Sequence, residues 1–419
     1  MGNQPYRLQP TVGKPTNATQ AVDFLISAAL KRNASDIHLG VNHTAAVPEP
    51  FLLRFRTHGK LQLMNGAFLL PIYKEVISRI KIMAGLNTTE IGTPQDGQIN
   101  VLTLDGAVVL RVALIPGPEG DELVIRVQRA ESENKEIAIA NLGMEPEVQD
   151  QLVRLINQKS GLIALNGPAG SGKTSTIYAI LKQLASPERK VLTAEDPIET
   201  RIPFVSHTQV SSKTNFSALA RAFMRQDSEV IFIGEVRDEE SASATVQLAQ
   251  TGHLVLTTMH TRDAIGVIAR LEAFEIHSNF IANSLIGSLA QRLIPTLCLK
   301  CRVPHQLDGP TLALLQEMGS PQKPPSFFKA GPGCPQCTSG YSGRKAVFEL
   351  FVVDSELADM INRTCSRTEI FEVARAKGMR TLVDDMLSNV YAGITDVHSV
   401  KGYLFSPSYS LAIPKLKAA

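Results

Sequence analysis

The run Gly167-Pro168-Ala169-Gly170-Ser171-Gly172-Lys173-Thr174 fits the spacing G-x-x-x-x-G-K-[ST] at every fixed place. Glycines there let backbone N–H groups turn inward on phosphate oxygens, and the helix that follows adds the partial positive charge of its N-terminus. Lys173 has the reach for β- and γ-phosphates, and the Thr174 hydroxyl suits Mg²⁺. With Ser175 next to them, these residues are the expected nucleotide-binding set. An apolar strand over 161–165 enters the loop and a helix over 174–184 leaves it, which separates this run from a chance glycine turn.

A bound nucleoside triphosphate also needs a carboxylate to polarise water. The apolar run 230–233 ends in Gly234-Glu235-Val236-Arg237-Asp238, where strands of this kind usually end in Asp-Glu. Gly234 takes the place of the metal-side Asp, and Glu235 remains as the candidate base. A second strand, over 190–194, ends in Glu195-Asp196-Pro197-Ile198-Glu199, at the edge where parallel sheets bind ligands. Glu195 is the expected second catalytic acid, orienting water or holding metal through water; the plain alternative is a set of solvated loop acids. A third strand, over 253–258, leads to His260, read either as a γ-phosphate contact or as a structural histidine.

Four of the five cysteines form two Cys-x-x-Cys pairs, Cys298/Cys301 and Cys334/Cys337, while Cys365 stands apart. Four thiolates suit a closed, structural tetrahedral Zn²⁺ site. The long spacer of 302–333 leaves free or redox-active thiols as the alternative.

The elements that must position these groups fall into two styles. Short alternating runs at 35–39, 51–56, 97–102, 108–114 and 122–127, with helices over 21–31 and 72–83, describe an α+β domain. From 147 onward strands and helices alternate, which means a parallel sheet covered by helices. The expected division is a leader over 1–20, an N-terminal domain over 21–130, a linker over 131–144, an ATPase core over 145–296, a tetracysteine module over 297–345 and a helical region over 346–419, with helices at 369–377 and 382–391.

A formal charge of +2 gives no basic surface for nucleic acid, and none is expected as a partner. No run approaches the ~18 apolar residues of a membrane span. The first residues lack an apolar signal core, so the expected location is the cytoplasm.

Together these motifs resemble the secretion ATPases that drive type II secretion and type IV pilus assembly. The resemblance rests on the P-loop, the acidic box 194–199, the atypical Walker B segment 234–238 and the histidine box from Thr251-Gly252-His253 through His260-Thr261. The segments 35–39, 94–97, 289–293 and 340–344 also fit. It implies a RecA-like ATPase domain joined to a smaller PAS-like N-terminal domain, with a small zinc module. It further implies a homohexameric ring using ATP, Mg²⁺ and structural Zn²⁺ on the cytoplasmic side of the inner membrane, where a polytopic platform protein transmits motion to pilin or pseudopilin subunits. The paired cysteines favour the assembly and secretion branch over retraction motors; a nucleotide-gated scaffold with little turnover is the alternative of another class.

Two departures from the family pattern stand out. The N-terminal domain of the family offers two arginines to the phosphates. Arg111 matches the first, but Glu122 stands where the second is expected, and Arg126 or Arg129 becomes the candidate substitute. Only about 20 residues precede the first helix, so platform docking is expected to use a surface other than the extra N-terminal domain of larger members.

Overall fold

The computed structural model describes residues 5–9, 14–41, 51–57, 59–90, 92–103, 106–118, 120–129, 137–211, 213–318 and 326–404. The chain forms two compact units, Met1–Lys135 and Glu136–Ala419.

Among its described residues the first unit contains one seven-stranded sheet, two α-helices and a 3-10 helix over Ala67–Ile72. In chain order it contains β1 (Tyr6–Arg7), α1 (Ala18–Lys31), β2 (Asp36–Val41), β3 (Phe51–Thr57), β4 (Lys60–Met64), α2 (Tyr73–Ala84), β5 (Gln95–Thr103), β6 (Gly106–Ile115) and β7 (Glu122–Arg129). The sheet order is β1-β5-β6-β7-β2-β3-β4. Period-2 alternation decides which face is buried. Val108, Leu110, Val112 and Leu114 of β6 point into the core shared with Leu25 and Ile80 of the helices. Arg111 therefore lies on the opposite face, where the register sets it across from Arg126, Arg126 across from Asp36, and Asp36 across from Arg56. Asp36 is buried and pairs with both Arg126 (3.0 Å) and Arg56 (3.4 Å). The short edge strand β4 carries exposed Leu61 and Leu63.

The second unit begins inside the expected linker. Residues 130–136 lie outside the described residues, but Ile139 and Met144 are buried in the core that contains Ile177 and Leu181. There follow α3 (Pro146–Ile156), β8 (Gly161–Asn166), α4 (Lys173–Leu184), β9 (Val191–Glu195), β10 (Val205–Gln209), α5 (Phe216–Phe223), β11 (Val230–Ile233), α6 (Glu239–Gln250), β12 (Leu254–Met259), α7 (Gly266–Glu272) and α8 (Ser278–Ser284). Then come β13 (Leu285–Leu297), β14 (Val303–His305), α9 (Gly309–Glu317), β15 (Phe327–Lys329), β16 (Tyr341–Val352), α10 (Ser355–Asn362), α11 (Arg367–Ala376), α12 (Leu382–Tyr391) and α13 (Val397–Leu404).

The large sheet runs β10-β9-β11-β12-β8-β13-β16, parallel except for the antiparallel edge strand β16. Its central strands are buried on both faces, so they read as unbroken apolar runs. Leu162 and Ala164 of β8 enter one core while Ile163 and Leu165 enter the other. The architecture is mixed α/β with a parallel sheet, as the alternation of helical and strand patterns requires. One feature differs from the expected division: β16 crosses position 345 and belongs to the same sheet as the P-loop strand, and β13 crosses 296. An apolar run of that length does not reveal its sheet partner.

Candidate active site

Parallel strands in the order β9-β11-β12-β8 bring their C-terminal ends to one edge. Glu195 ends β9, Gly234 and Glu235 follow β11, His260 follows β12, and the P-loop follows β8. A cleft of about 170 Å³ opens there, lined by Lys173, Thr174, Glu235, His260, Tyr178 and the acidic box, among others.

The P-loop is shaped by glycines that nothing else replaces. Gly167 has φ +156, and a Cβ there would sit 2.6 Å from the Gln291 carbonyl oxygen. Gly172, at φ +88, caps α4, and a Cβ would sit 2.7 Å from Gln291 Nε2. Thr176 donates to Gln291 Oε1 at 2.7 Å, and the buried Arg292 donates to the carbonyls of Gln291 (2.8 Å) and Thr261 (3.3 Å). Gln291 and Arg292 on β13 thus back the phosphate loop. Their distance from the loop along the chain hides that role in the sequence.

Lys173 donates to the carbonyls of Gly167 (2.6 Å) and Pro168 (3.1 Å). Burial pulls its ammonium down to about 8; Glu235 opposes that shift and Arg292 adds to it. The loop fits a polyphosphate by its own chemistry: a half-buried cation, a helix N-terminus, and the Ser171 hydroxyl buried without a partner among the described residues.

Glu235 is held in the cleft mouth by two groups. Arg237 Nε donates to Oε2 at 2.8 Å, and His260 Nε2 stands 3.0 Å from Oε1. His260 Nδ1 faces the Gly167 carbonyl at 2.9 Å. The histidine therefore ties the base candidate to the phosphate loop. Asp238, quoted above with the Walker B segment, has a local job: it caps α6 by accepting from Ser241 N at 2.8 Å.

The absent Walker B Asp has a steric counterpart. A Cβ on Gly234 would meet the Ala194 carbonyl at 3.0 Å and the Phe216 ring at 3.1 and 3.3 Å. Phe216 opens α5, whose cap Asn215 accepts from Ala218 N. The ring fills the space a larger residue at 234 would need.

Glu195 is differently placed from Glu235. It is 3% exposed, and both carboxylate oxygens are occupied. Tyr178 donates to Oε2, while Thr193 Oγ1 and His207 Nδ1 each lie 2.6 Å from Oε1. Tyr178, Thr193 and His207 were not singled out from sequence. His207 lies beside Glu195 because β10 pairs with β9 in the register His207↔Thr193, and no local pattern announces that pairing.

The cysteine pairs meet because β13 and β16 are an antiparallel pair whose register ends at Leu297↔Tyr341. Cys298 and Cys301 leave one strand where Cys334 and Cys337 enter the other, so the spacer length is irrelevant. All four Sγ atoms lie within 4.8 Å of one another. Sulfur pairs stand 3.5, 3.6 and 3.7 Å apart, against an edge of about 3.8 Å for a tetrahedron with Zn–S bonds of 2.3 Å. The donor set fits Zn²⁺. Arg111 lies in the N-terminal unit, half-buried on β6, and Arg126 is exposed across from it.

This fold and site define a P-loop protein of the secretion ATPase class. Residues 15–402 match the family model described as "Type II/IV secretion system protein", and the chain belongs to that family. It is 37% identical over 389 residues to the type II secretion system ATPase E of Vibrio cholerae, covering 90% of this chain and 74% of that one. It is also 37% identical over 390 residues to the type IV pilus assembly ATPase PilB of Thermus thermophilus, covering 91% of this chain and 42% of that protein. Among solved structures, the Legionella pneumophila ATPase DotB shares the fold with a TM-score of 0.66 at 21% identity, covering 96% of this chain and 99% of DotB. Among the described residues, no helix is long and apolar enough to cross a membrane.

Proposed function

We propose that this chain hydrolyses ATP as a homohexamer and uses the energy to assemble pilin or pseudopilin subunits. It would act on the cytoplasmic face of the inner membrane, against a polytopic platform protein. The observation that carries the reading is the convergence of Lys173, Thr174, Glu235 and His260 on one cleft. Lys173 binds the β- and γ-phosphates, and the P-loop N–H groups hold them in place. Thr174 would hold Mg²⁺, which when bound neutralises phosphate charge. Glu235 orients the attacking water and accepts its proton. His260, seated between Glu235 and Gly167, keeps base and phosphate loop in fixed relation. The tetracysteine cluster supports the assembly branch over retraction, through the family resemblance.

The phosphate-binding arginine of the N-terminal unit is assigned to Arg111, with Arg126 as the second. The two stand opposite each other on one sheet face, which supports Arg126 in place of the residue lost at Glu122; the Arg129 side chain lies outside the described residues. Arg111→Ala and Arg126→Ala should each lower ATP turnover, and unchanged rates would remove that arginine from the mechanism.

The central test is ATP turnover by purified protein beside Glu235→Gln. A positioned base contributes about 10²–10⁴-fold, so the variant should lose turnover on that scale and still bind ATP. Equal rates in the two proteins would sink the assignment. Mass photometry in ATP checks the ring of six.

A further inference from the structure

The first acid of the acidic box, Glu195, borders the cleft, yet its carboxylate is already held from within the protein. Glu195 has three hydrogen-bond donors on a carboxylate with roughly four lone-pair sites. It is 3% exposed, whereas the side chain of Glu235 is 20% exposed in the same cleft.

Its partners continue outward. Tyr178 Oη accepts backbone N–H groups from Glu199 (3.1 Å) and Thr200 (3.3 Å). His207 Nε2 accepts from Ile202 N at 3.0 Å. That bond makes Nε2 an acceptor, so the ring is the Nδ1–H tautomer and donates to Glu195. Burial pushes the Tyr178 hydroxyl pKa up, with the bond to Glu195 next, so the phenol stays a donor at working pH. Three backbone amides between β9 and β10 thus end, through two side chains, on one buried carboxylate. The segment they hold carries Asp196 and Glu199 into the cleft lining.

We propose that Glu195 is a positioning residue, which with Tyr178 and His207 forms a buried lock that fixes the β9–β10 connection and its cleft-facing acids beside the phosphate loop. The proposal rests on the ATPase reading for its effect on turnover, but the lock itself does not. Glu235 is then the acid assigned to accept the proton of the attacking water. Side chains acting as one unit lose function non-additively.

The test combines kinetics with amide hydrogen exchange on the full chain. Tyr178→Phe keeps the ring and removes only the hydroxyl; it should speed exchange at residues 199 and 200 at least tenfold. His207→Ala should do so at 202, and His207→Gln, with an amide donor and acceptor, should restore part of the protection. Each deletion should lower kcat about tenfold with a smaller change in KM, and Tyr178→Phe/Glu195→Gln should be no worse than Glu195→Gln alone. The proposal is overturned if Glu195→Gln abolishes turnover while Tyr178→Phe and His207→Ala keep wild-type turnover and exchange. Glu195 would then be the chemical acceptor itself. A wild-type protein without ATP turnover would refute the function reading, and the exchange arm would still decide the lock.

Discussion

Restoring the ordinary Walker B residue, by Gly234→Asp, should damage this protein rather than improve it. The first added atom already sits 3.0 Å from the Ala194 carbonyl and 3.1 Å from the Phe216 ring. The rest of the side chain has to displace a ring that is 9% exposed and packed in the larger core. Forcing extra atoms into a packed site costs about 1–3 kcal/mol. At roughly 2–4 °C per kcal/mol for domains of this order of size, Tm should fall by several degrees. Thermal unfolding followed by circular dichroism reads that change, and ATP turnover at a temperature well below Tm reads the catalytic side. Trimming the ring in Gly234→Asp/Phe216→Leu should recover part of the loss, because residues in contact couple. A Gly234→Asp protein with wild-type Tm and turnover would refute the steric argument and leave the glycine without a physical account.

Removing the metal should loosen the end of the β13–β16 pair: elemental analysis should find about one Zn²⁺ per chain, and Cys337→Ser should release it and lower Tm. A protein purified without zinc and unchanged by that substitution would break the four-thiolate reading. The pH response follows from Lys173, whose ammonium is held at about 8 by burial, below its ordinary 10.5. Between those values the folded state binds fewer protons than the unfolded one, so this residue makes stability rise with pH there, and below 8 its contribution is constant. Bound polyphosphate favours the charged form, so ATP binding should take up protons at pH 8.5 and few at pH 7. Calorimetry in buffers of different ionisation enthalpy measures this, and equal, zero uptake at both pH values would contradict the burial of that cation.

The phosphate loop was legible in the sequence because its chemistry is local. Gly167, Gly172, Lys173 and Thr174 work through backbone conformation and reach over eight consecutive positions, and a strand and helix flank them. Glu235 was legible because it ends an apolar run, and the missing Asp at 234 was visible as an absence. The Phe216 ring that accounts for the absence comes from α5, and only packing places it there. Glu195 stood out in the sequence by its place at a strand end, but residue type says nothing of its burial. Pairing of β10 with β9 closes His207 onto the buried Glu195, while Asp196 and Glu199 stay exposed along the same cleft.

The sequence by itself determined which groups can bind phosphate, which can accept a proton and which can hold Zn²⁺, because side-chain chemistry and short-range backbone geometry are written in adjacent residues. Tertiary structure alone decided how they divide the work. Sheet order set Glu235 and His260 beside Gly167, and β13 brought Gln291 and Arg292 behind the loop. The β13–β16 register joined cysteines separated by a long spacer. Those are contacts between residues far apart in the chain, fixed by burial of both faces of one sheet, and no local spacing encodes them.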